Sequence, residues 1–519
     1  MLDELRQAGK RQLEANCPSL LKNCEFLWQR VCEHAQASGS DFLSLAICYQ
    51  RQGEYSAALG WLDRIPKQEA DHESIYLTAW CLFKTHLLVE AKNCLLLDDR
   101  GRMRSWEDLE QEFSSTGTVS VAKQAVGLHL LGLITHAQNE DEQECVVYFD
   151  LAVRLDPFLF EAREKLAICK GRARQPLPPS TTSPNQLEVL ERANWLLAGF
   201  QLDETIELLG AGDQTCTYSL ALVARSYFEK AEYSECVTWY QRVRKLDGNF
   251  TLGVEYYSTA LWHLKRPVDL AYLARDLATR WPHRPETWIV VGNCFSLEKE
   301  HELAIRFFKR ALQLDERCTY AYTLAGHEYV ANEDFDQAVV LYRNALRTDV
   351  MHYNAWWGLG TIFARQEKHS LAQLHFERAL AIHPSSSVLC CYLGTVLAKM
   401  NQPDRALVLL DRAKQLDPNN PQARYQRARV LFREERWEEV LLELEFVLER
   451  VPKEATVHMF MGQVCSKLRL KDRAMIHFVS ALDLDPKAAS NVREAMNQME
   501  EEEGEITLSQ QDFDEEEEA

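Results

Sequence analysis

Small and apolar positions recur with a single period along the C-terminal part of the chain. Gly292, Gly326, Gly360, Gly394, Ala428 and Gly462 stand 34 residues apart. Twelve residues after each comes a second small or slim residue: Ala304, Ala338, Ala372, Ala406, Val440 and Ala474. A third series, Ala311, Ala345, Ala379, Ala413, Val447 and Ala481, follows the same rule. Between the second and third series lies a bulky residue: Phe308, Tyr342, Phe376, Leu410, Leu444 and Phe478. This spacing predicts two amphipathic helices per period. The small residues let the two backbones approach, and the bulky residue fills the space beside them. Pro384, Pro418, Pro452 and Pro486 close four of the units, since proline lacks an N–H and disfavours helix at the residue before it. One such pair cannot bury its apolar stripe alone, so each pair must stack on the next.

The register continues upstream, with Ala224 and Ser258 at the Gly phase and Tyr240 at the aromatic one. Nearer the N-terminus, Ala46 and Ala58, then Ala79 and Ala91, stand twelve residues apart, and Gly132 and Tyr148 precede a stop at Pro157. Residues 1–40 read as helical, a degenerate first repeat, whereas 102–120 fit no repeat and read as an insertion. The pattern resembles the tetratricopeptide repeat, a helix-turn-helix unit of 34 residues. The expected fold is all-α, an α-α superhelix (tetratricopeptide repeat solenoid) of about eleven or twelve helix-turn-helix units in two arrays. Residues 171–186, "GRARQPLPPSTTSPNQ", carry four prolines among Ser and Thr and read as a linker. The expected domains are an N-terminal array over 1–170, the linker, a C-terminal superhelix over 187–498 and an acidic disordered tail over 499–519.

Composition sharpens this picture. At 519 residues the chain is too long for one compact domain, a limit that a solenoid escapes because each repeat contacts only its neighbours. The net charge is −20, but eleven acids lie within residues 500–519, which hold no Lys or Arg. A like-charge run buries no apolar surface, so its removal is expected to leave stability unchanged. The repeats are only mildly acidic and lack the basic face that phosphate neutralisation needs, so no nucleic-acid partner is expected. No apolar stretch is long enough to span a bilayer and the start "MLDELRQAGK" has no signal-peptide core. A soluble, intracellular protein without a membrane partner is expected. The fifteen cysteines form no C-x-x-C pair. Cys48, Cys81 and Cys294 follow the small residue of a first helix and Cys236 replaces that of a second, so they read as small buried apolar residues.

No phosphate-cradling glycine loop, H-E-x-x-H or G-x-S-x-G motif occurs, and the fifteen histidines lack ligand spacing. An enzyme would need a catalytic domain for which the repeats leave no room, so neither catalysis, a cofactor nor a metal is expected. What remains is a binding surface. In solenoids of this class the first helix lines the groove, and the residues after the Gly phase are Asn293, His327 and Thr361. The preceding unit offers Glu255, Thr259 and Trp262. An acid, amides and aromatics suit a short extended peptide or a chain terminus.

Several stretches are more specific: "YYSTALWHL" (256–264), "PETWIVVGNCFSLEKEHELAIRFFKRALQLD" (285–315), "YAYTLAGHEYV" (320–330), "HYNAWWGLGTIFARQEKHSLAQLHFERAL" (352–380) and "ALDLDPKAA" (481–489). Together they resemble the subunit 3 family of the anaphase-promoting complex, homologues of cell division cycle protein 27. "GLHLLGLITHAQ" with "LDPFLFEA" (155–162) is similar to the end of that family's N-terminal array. The resemblance implies a non-catalytic scaffold of a ubiquitin ligase acting in the cell cycle, in nucleus and cytoplasm. It implies association with the other subunits and a homodimer through the N-terminal array. It also implies a C-terminal groove for the Ile-Arg tails of the activator and the processivity subunit. Asn293 is the foremost carry-over to that groove, and Glu255, His327, Asn354, Trp262 and Trp357 follow from groove phase. Family members commonly carry a long phosphorylated insert between the arrays; here it shrinks to 171–186, with Ser183-Pro184 its one proline-directed site. A co-chaperone that clamps a terminal carboxylate is the alternative, or another peptide-binding adaptor. The co-chaperone family repeats Asn at the groove phase, whereas here His327 follows Asn293. A glycosyltransferase with a repeat domain would need a further, non-repeat domain.

Overall fold

The computed structural model describes residues 2–14, 21–33, 37–66, 71–97, 103–116, 121, 124–138, 142–177, 186–210, 216–485 and 493–494. The acidic tail, Pro486 and Ser183-Pro184 lie outside them. Among the described residues every regular element is an α-helix, apart from one isolated bridge between Leu97 and Met103. No described helix is long and apolar enough to cross a membrane. The chain forms two compact units, Met1–Leu273 with Arg347–Asp349, and Ala274–Leu346 with Val350–Ala519.

In the second unit six helix pairs follow one another, each with a first helix of 13 residues and a second of 14, from Pro285–Leu297 and His301–Leu314 to Ala455–Lys467 and Lys471–Leu484. The phased residues make the expected contacts. A Cβ added at Gly292 would stand 2.4 Å from the Phe308 ring, one at Gly360 2.6 Å from Phe376, and one at Gly462 2.5 Å from Phe478. Where the phase carries Ala428 instead, the opposing residue is the smaller Leu444, and both are fully buried. The helices His369–Ile382, Pro403–Leu416 and Trp437–Arg450 each stop two residues before Pro384, Pro418 and Pro452. The turn inside each pair places one residue in the left-handed region: Lys299, Glu333, Glu367, Asn401, Glu435 and Arg469, with φ from 56° to 64°.

The first unit repeats this design less regularly. Leu2–Glu14 and Leu21–Cys32 form the degenerate pair expected over 1–40, where Gly9 packs on Trp28 at 2.8 Å from an added Cβ. The stretch that fitted no repeat folds as one helix, Trp106–Thr116, whose Leu109 is fully buried in a core shared with Leu128, Leu131 and Ala152. Eleven residues with one apolar stripe carry no partner helix in register, so the period does not reveal this helix. The helices flanking the Pro-rich segment, Phe160–Arg172 and Gln186–Ala198, pack directly on each other: a Cβ at Gly171 would stand 2.5 Å from the Trp195 carbonyl. Arg163 pairs with Glu191 at 2.6 Å, and Trp195 Nε1 donates to the Gln175 carbonyl at 2.8 Å. Both flanks therefore lie in the first unit, and the change of unit follows Leu273 rather than residues 171–186.

Cys48, Cys81 and Cys236 are fully buried as free thiols, whereas Cys294 is half-buried. Burial pushes the Cys81 thiol up to about 11, so it packs as a small apolar residue.

Candidate peptide-binding faces

Successive first helices adjoin within each unit: Thr217–Glu229 with Val254–His263 in the first, and Thr319–Ala331 with Tyr353–Arg365, then Ser387–Lys399 with Pro421–Arg433, in the second. The layer of adjoining helices is the inner layer of a solenoid, and the phased candidates all lie on it.

The first unit holds Glu255 and Trp262. Glu255 is half-buried in the first turn of Val254–His263, and its carbonyl accepts from Ser258 Oγ at 2.8 Å and Thr259 Oγ1 at 3.0 Å. Trp262 stands edge-on to His263, with ring centroids 5.1 Å apart, and His263 stacks on Tyr233 at 4.2 Å. Beside them is Arg225, whose guanidinium lies 5.0 Å from the centre of the Tyr256 ring. Burial opposes the Arg225 charge, but Tyr256, Glu229, Tyr240 and Glu255 outweigh it and hold the guanidinium above its ordinary value. Glu255 therefore already has a cation of its own unit in range. Sequence reasoning missed Arg225, although it stands two periods before Asn293 at the same phase.

The second unit holds the other four. Asn293, on Pro285–Leu297, is buried at 3% exposure. One turn on, Ser296 Oγ donates to Glu328 Oε1 at 2.6 Å, while His301 Nδ1 lies 2.7 Å from Glu328 Oε2. Glu328, itself 7% exposed, thus ties two successive pairs together. His327 Nδ1 is 2.6 Å from the Tyr342 hydroxyl, and the His327 ring meets the edge of Trp357 at 5.5 Å. Trp357 also stands edge-on to Tyr392 at 5.4 Å. Its Nε1 is buried without an acceptor among the described residues. Asn354 is half-buried, three residues before Trp357 on Tyr353–Arg365. The structure thus brings His327 and Trp357 into contact, sets Asn354 on the same helix as Trp357, and assigns Glu255 and Trp262 to the first unit. Among the described residues no cluster of three or more His, Cys, Asp or Glu could hold a metal ion.

Comparison with known proteins adds a relationship. The family described as "Anaphase-promoting complex, cyclosome, subunit 3" matches residues 19–96 and 365–447, and the tetratricopeptide repeat matches 285–318 and 323–387. Anaphase-promoting complex subunit 3 of Schizosaccharomyces pombe is 36% identical over 316 residues, 60% of this chain and 48% of that protein. Protein bimA of Emericella nidulans is 41% identical over 310 residues, 59% of this chain and 38% of that protein. Cell division cycle protein 27 homolog B of Arabidopsis thaliana is 41% identical over 269 residues, 52% of this chain and 36% of that protein. The matches thus span about half or less of the length of these curated relatives. The crystal structure of the APC/C hetero-tetramer Cut9-Hcn1 superposes with a TM-score of 0.64 over 95% of this chain and 96% of that one, at 17% identity, which speaks for the fold alone.

Proposed function

We propose, from the premise that this chain is a relative of subunit 3 of the anaphase-promoting complex, that it is a non-catalytic scaffold in such a ubiquitin ligase and works in nucleus and cytoplasm. Its inner layer receives the Ile-Arg C-terminal tails of activator and core subunits. The observation that carries the groove reading is the Trp357 indole. A buried N–H without an acceptor costs free energy, and an extended peptide supplies a carbonyl. Trp28, Trp80 and Trp281 share this state, and Trp357 is the one of the four whose ring meets His327, on the helix that also carries Asn354. Asn293 adds an amide whose burial makes it part of the wall rather than a projecting arm. In the first unit, Glu255 and Arg225 lie within electrostatic range of each other, so they read as a pair of that unit.

Self-association through residues 1–170 is part of this reading. It is supported by apolar side chains left exposed there: Phe26 at 53%, Leu87 at 45%, Val89 at 64% and Leu97 at 46%.

Fluorescence anisotropy with a labelled peptide ending in Ile-Arg tests the groove. The expected result is that Trp357→Phe, which keeps the ring but removes the donor, weakens binding about fivefold to tenfold, equivalent to about 1–1.4 kcal/mol. Asn293→Ala should weaken it as well. Amidating the peptide carboxylate should cost tenfold or more. Binding indifferent to amidation would overturn terminus recognition, and wild-type binding by Trp357→Phe would overturn the role of the indole.

A further inference from the structure

The last turn of the first helix carries a cation in each of the four final pairs: Arg365, Lys399, Arg433 and Lys467, 34 residues apart and all exposed. Arg429, one turn before Arg433, is exposed too. The four helices, Tyr353–Arg365, Ser387–Lys399, Pro421–Arg433 and Ala455–Lys467, contain no Asp or Glu at all. Acids stand instead in the turns that follow, at Glu367, Glu434 and Glu435, and on the second helices, as at Asp404 and Glu438. A helix C-terminus favours one cation in its last turn. That does not account for Arg429, nor for the lack of acids. Nor is a terminal cation obligatory, since the two earlier first helices of this unit end on Leu297 and Ala331. Over these four first helices the inner layer thus carries cations and no acid, whereas the second helices carry both signs.

We propose that this ladder is the docking surface of the chain's own acidic terminus, residues 500–519, which occupies the C-terminal end of the inner layer and competes there with other acidic segments. Charge complementarity argues for this occupant, because the segment has eleven acids without one Lys or Arg and the four helices have no acid. Reach argues for it as well. The last helix pair ends at Leu484 and the acids begin at Glu500. The intervening residues span roughly 50 Å when extended, whereas packed helices stand about 10 Å apart. A tethered segment also acts at an effective concentration in the millimolar range, enough to fill a site that is weak toward the free peptide. The contact is electrostatic and screened by salt, so it adds little to thermal stability, in line with the sequence expectation for the tail. This inference does not depend on Ile-Arg recognition, whose candidates lie on Asn354, Trp357 and earlier residues.

The test uses a labelled peptide of sequence 500–519 against the full chain and against a chain ending at Met499. At low salt the shortened chain should bind the peptide at least fivefold more tightly than the full chain, because the tethered copy is gone. Raising salt from about 50 to about 300 mM should weaken that binding tenfold or more. In the shortened chain, Arg429→Glu with Arg433→Glu should reduce affinity at least tenfold, with unchanged circular dichroism. Arg343→Glu with Arg378→Glu, exposed cations of second helices, should not. Equal binding by full and shortened chains would overturn the tail as occupant and leave the ladder to an acidic partner. Equal loss in both double variants would overturn the ladder as a site, reducing the effect to general attraction to positive surface.

Discussion

Gly60 and Gly326 both lie within helices, yet they meet different surroundings. Nothing lies within 4 Å of a Cβ added at Gly60, whereas one at Gly326 would stand 2.6 Å from the Tyr342 ring, which is fully buried and held by His327. Gly326→Ala therefore overpacks and should cost about 1–3 kcal/mol, while Gly60→Ala should gain about 0.5–1 kcal/mol through helix propensity. Urea midpoints measured side by side should move in opposite directions; a shared direction would contradict the packing role given to the Gly phase. His129 is a second residue whose neighbours set its behaviour. It is 6% exposed, packs at 5.7 Å against Phe149, and lies 3.5 Å from Glu161. Burial holds its pKa below the ordinary 6.5, with Glu161 offsetting part of this. The neutral ring is therefore the folded form. Its contribution is complete above the unfolded value of about 6.5 and is lost as pH falls below it. Melting temperatures taken from pH 7.5 down to 5.5 should fall more steeply for the native chain than for His129→Gln, and parallel slopes would refute the assignment.

Among the elements, the helix pairs of the second unit were the most legible in the sequence, because six consecutive pairs keep one phase and a buried small residue at a helix crossing tolerates few replacements. The lone helix Trp106–Thr116 was not legible, since its partners are set by the tertiary core and not by the period. The Pro-rich segment was legible as a break in helix. Its flanking helices nevertheless pack together, because contacts such as Gly171 on Trp195 link residues on opposite sides of the break. The left-handed residue in each turn also follows the period, yet five of the six in the second unit are Lys, Glu or Arg and only Asn401 is a residue suited to that conformation. Glu435→Gly should therefore raise stability by up to about 1 kcal/mol, more than Asn401→Gly does. Equal effects in a urea titration would show that the turn's stability does not reside in this backbone conformation.

For the whole molecule, the fold class follows from the period, but the function does not, since any repeat array presents a groove. Of the candidates chosen by phase, Trp357 and His327 meet on one face, while Asn293 is buried into the wall and Glu255 has Arg225 in range. The period showed which face each residue takes but not how deeply neighbouring side chains cover it. Relationship supplies what geometry leaves open, and it concerns assembly. The decisive measurement is therefore purification of the tagged chain from its own cells at native abundance, with mass spectrometry of what accompanies it. The account predicts a stoichiometric set of ubiquitin-ligase subunits, retained when residues 500–519 are removed and depleted of the activator by Trp357→Phe. Recovery with molecular chaperones in place of ligase subunits, or of the chain alone, would contradict it.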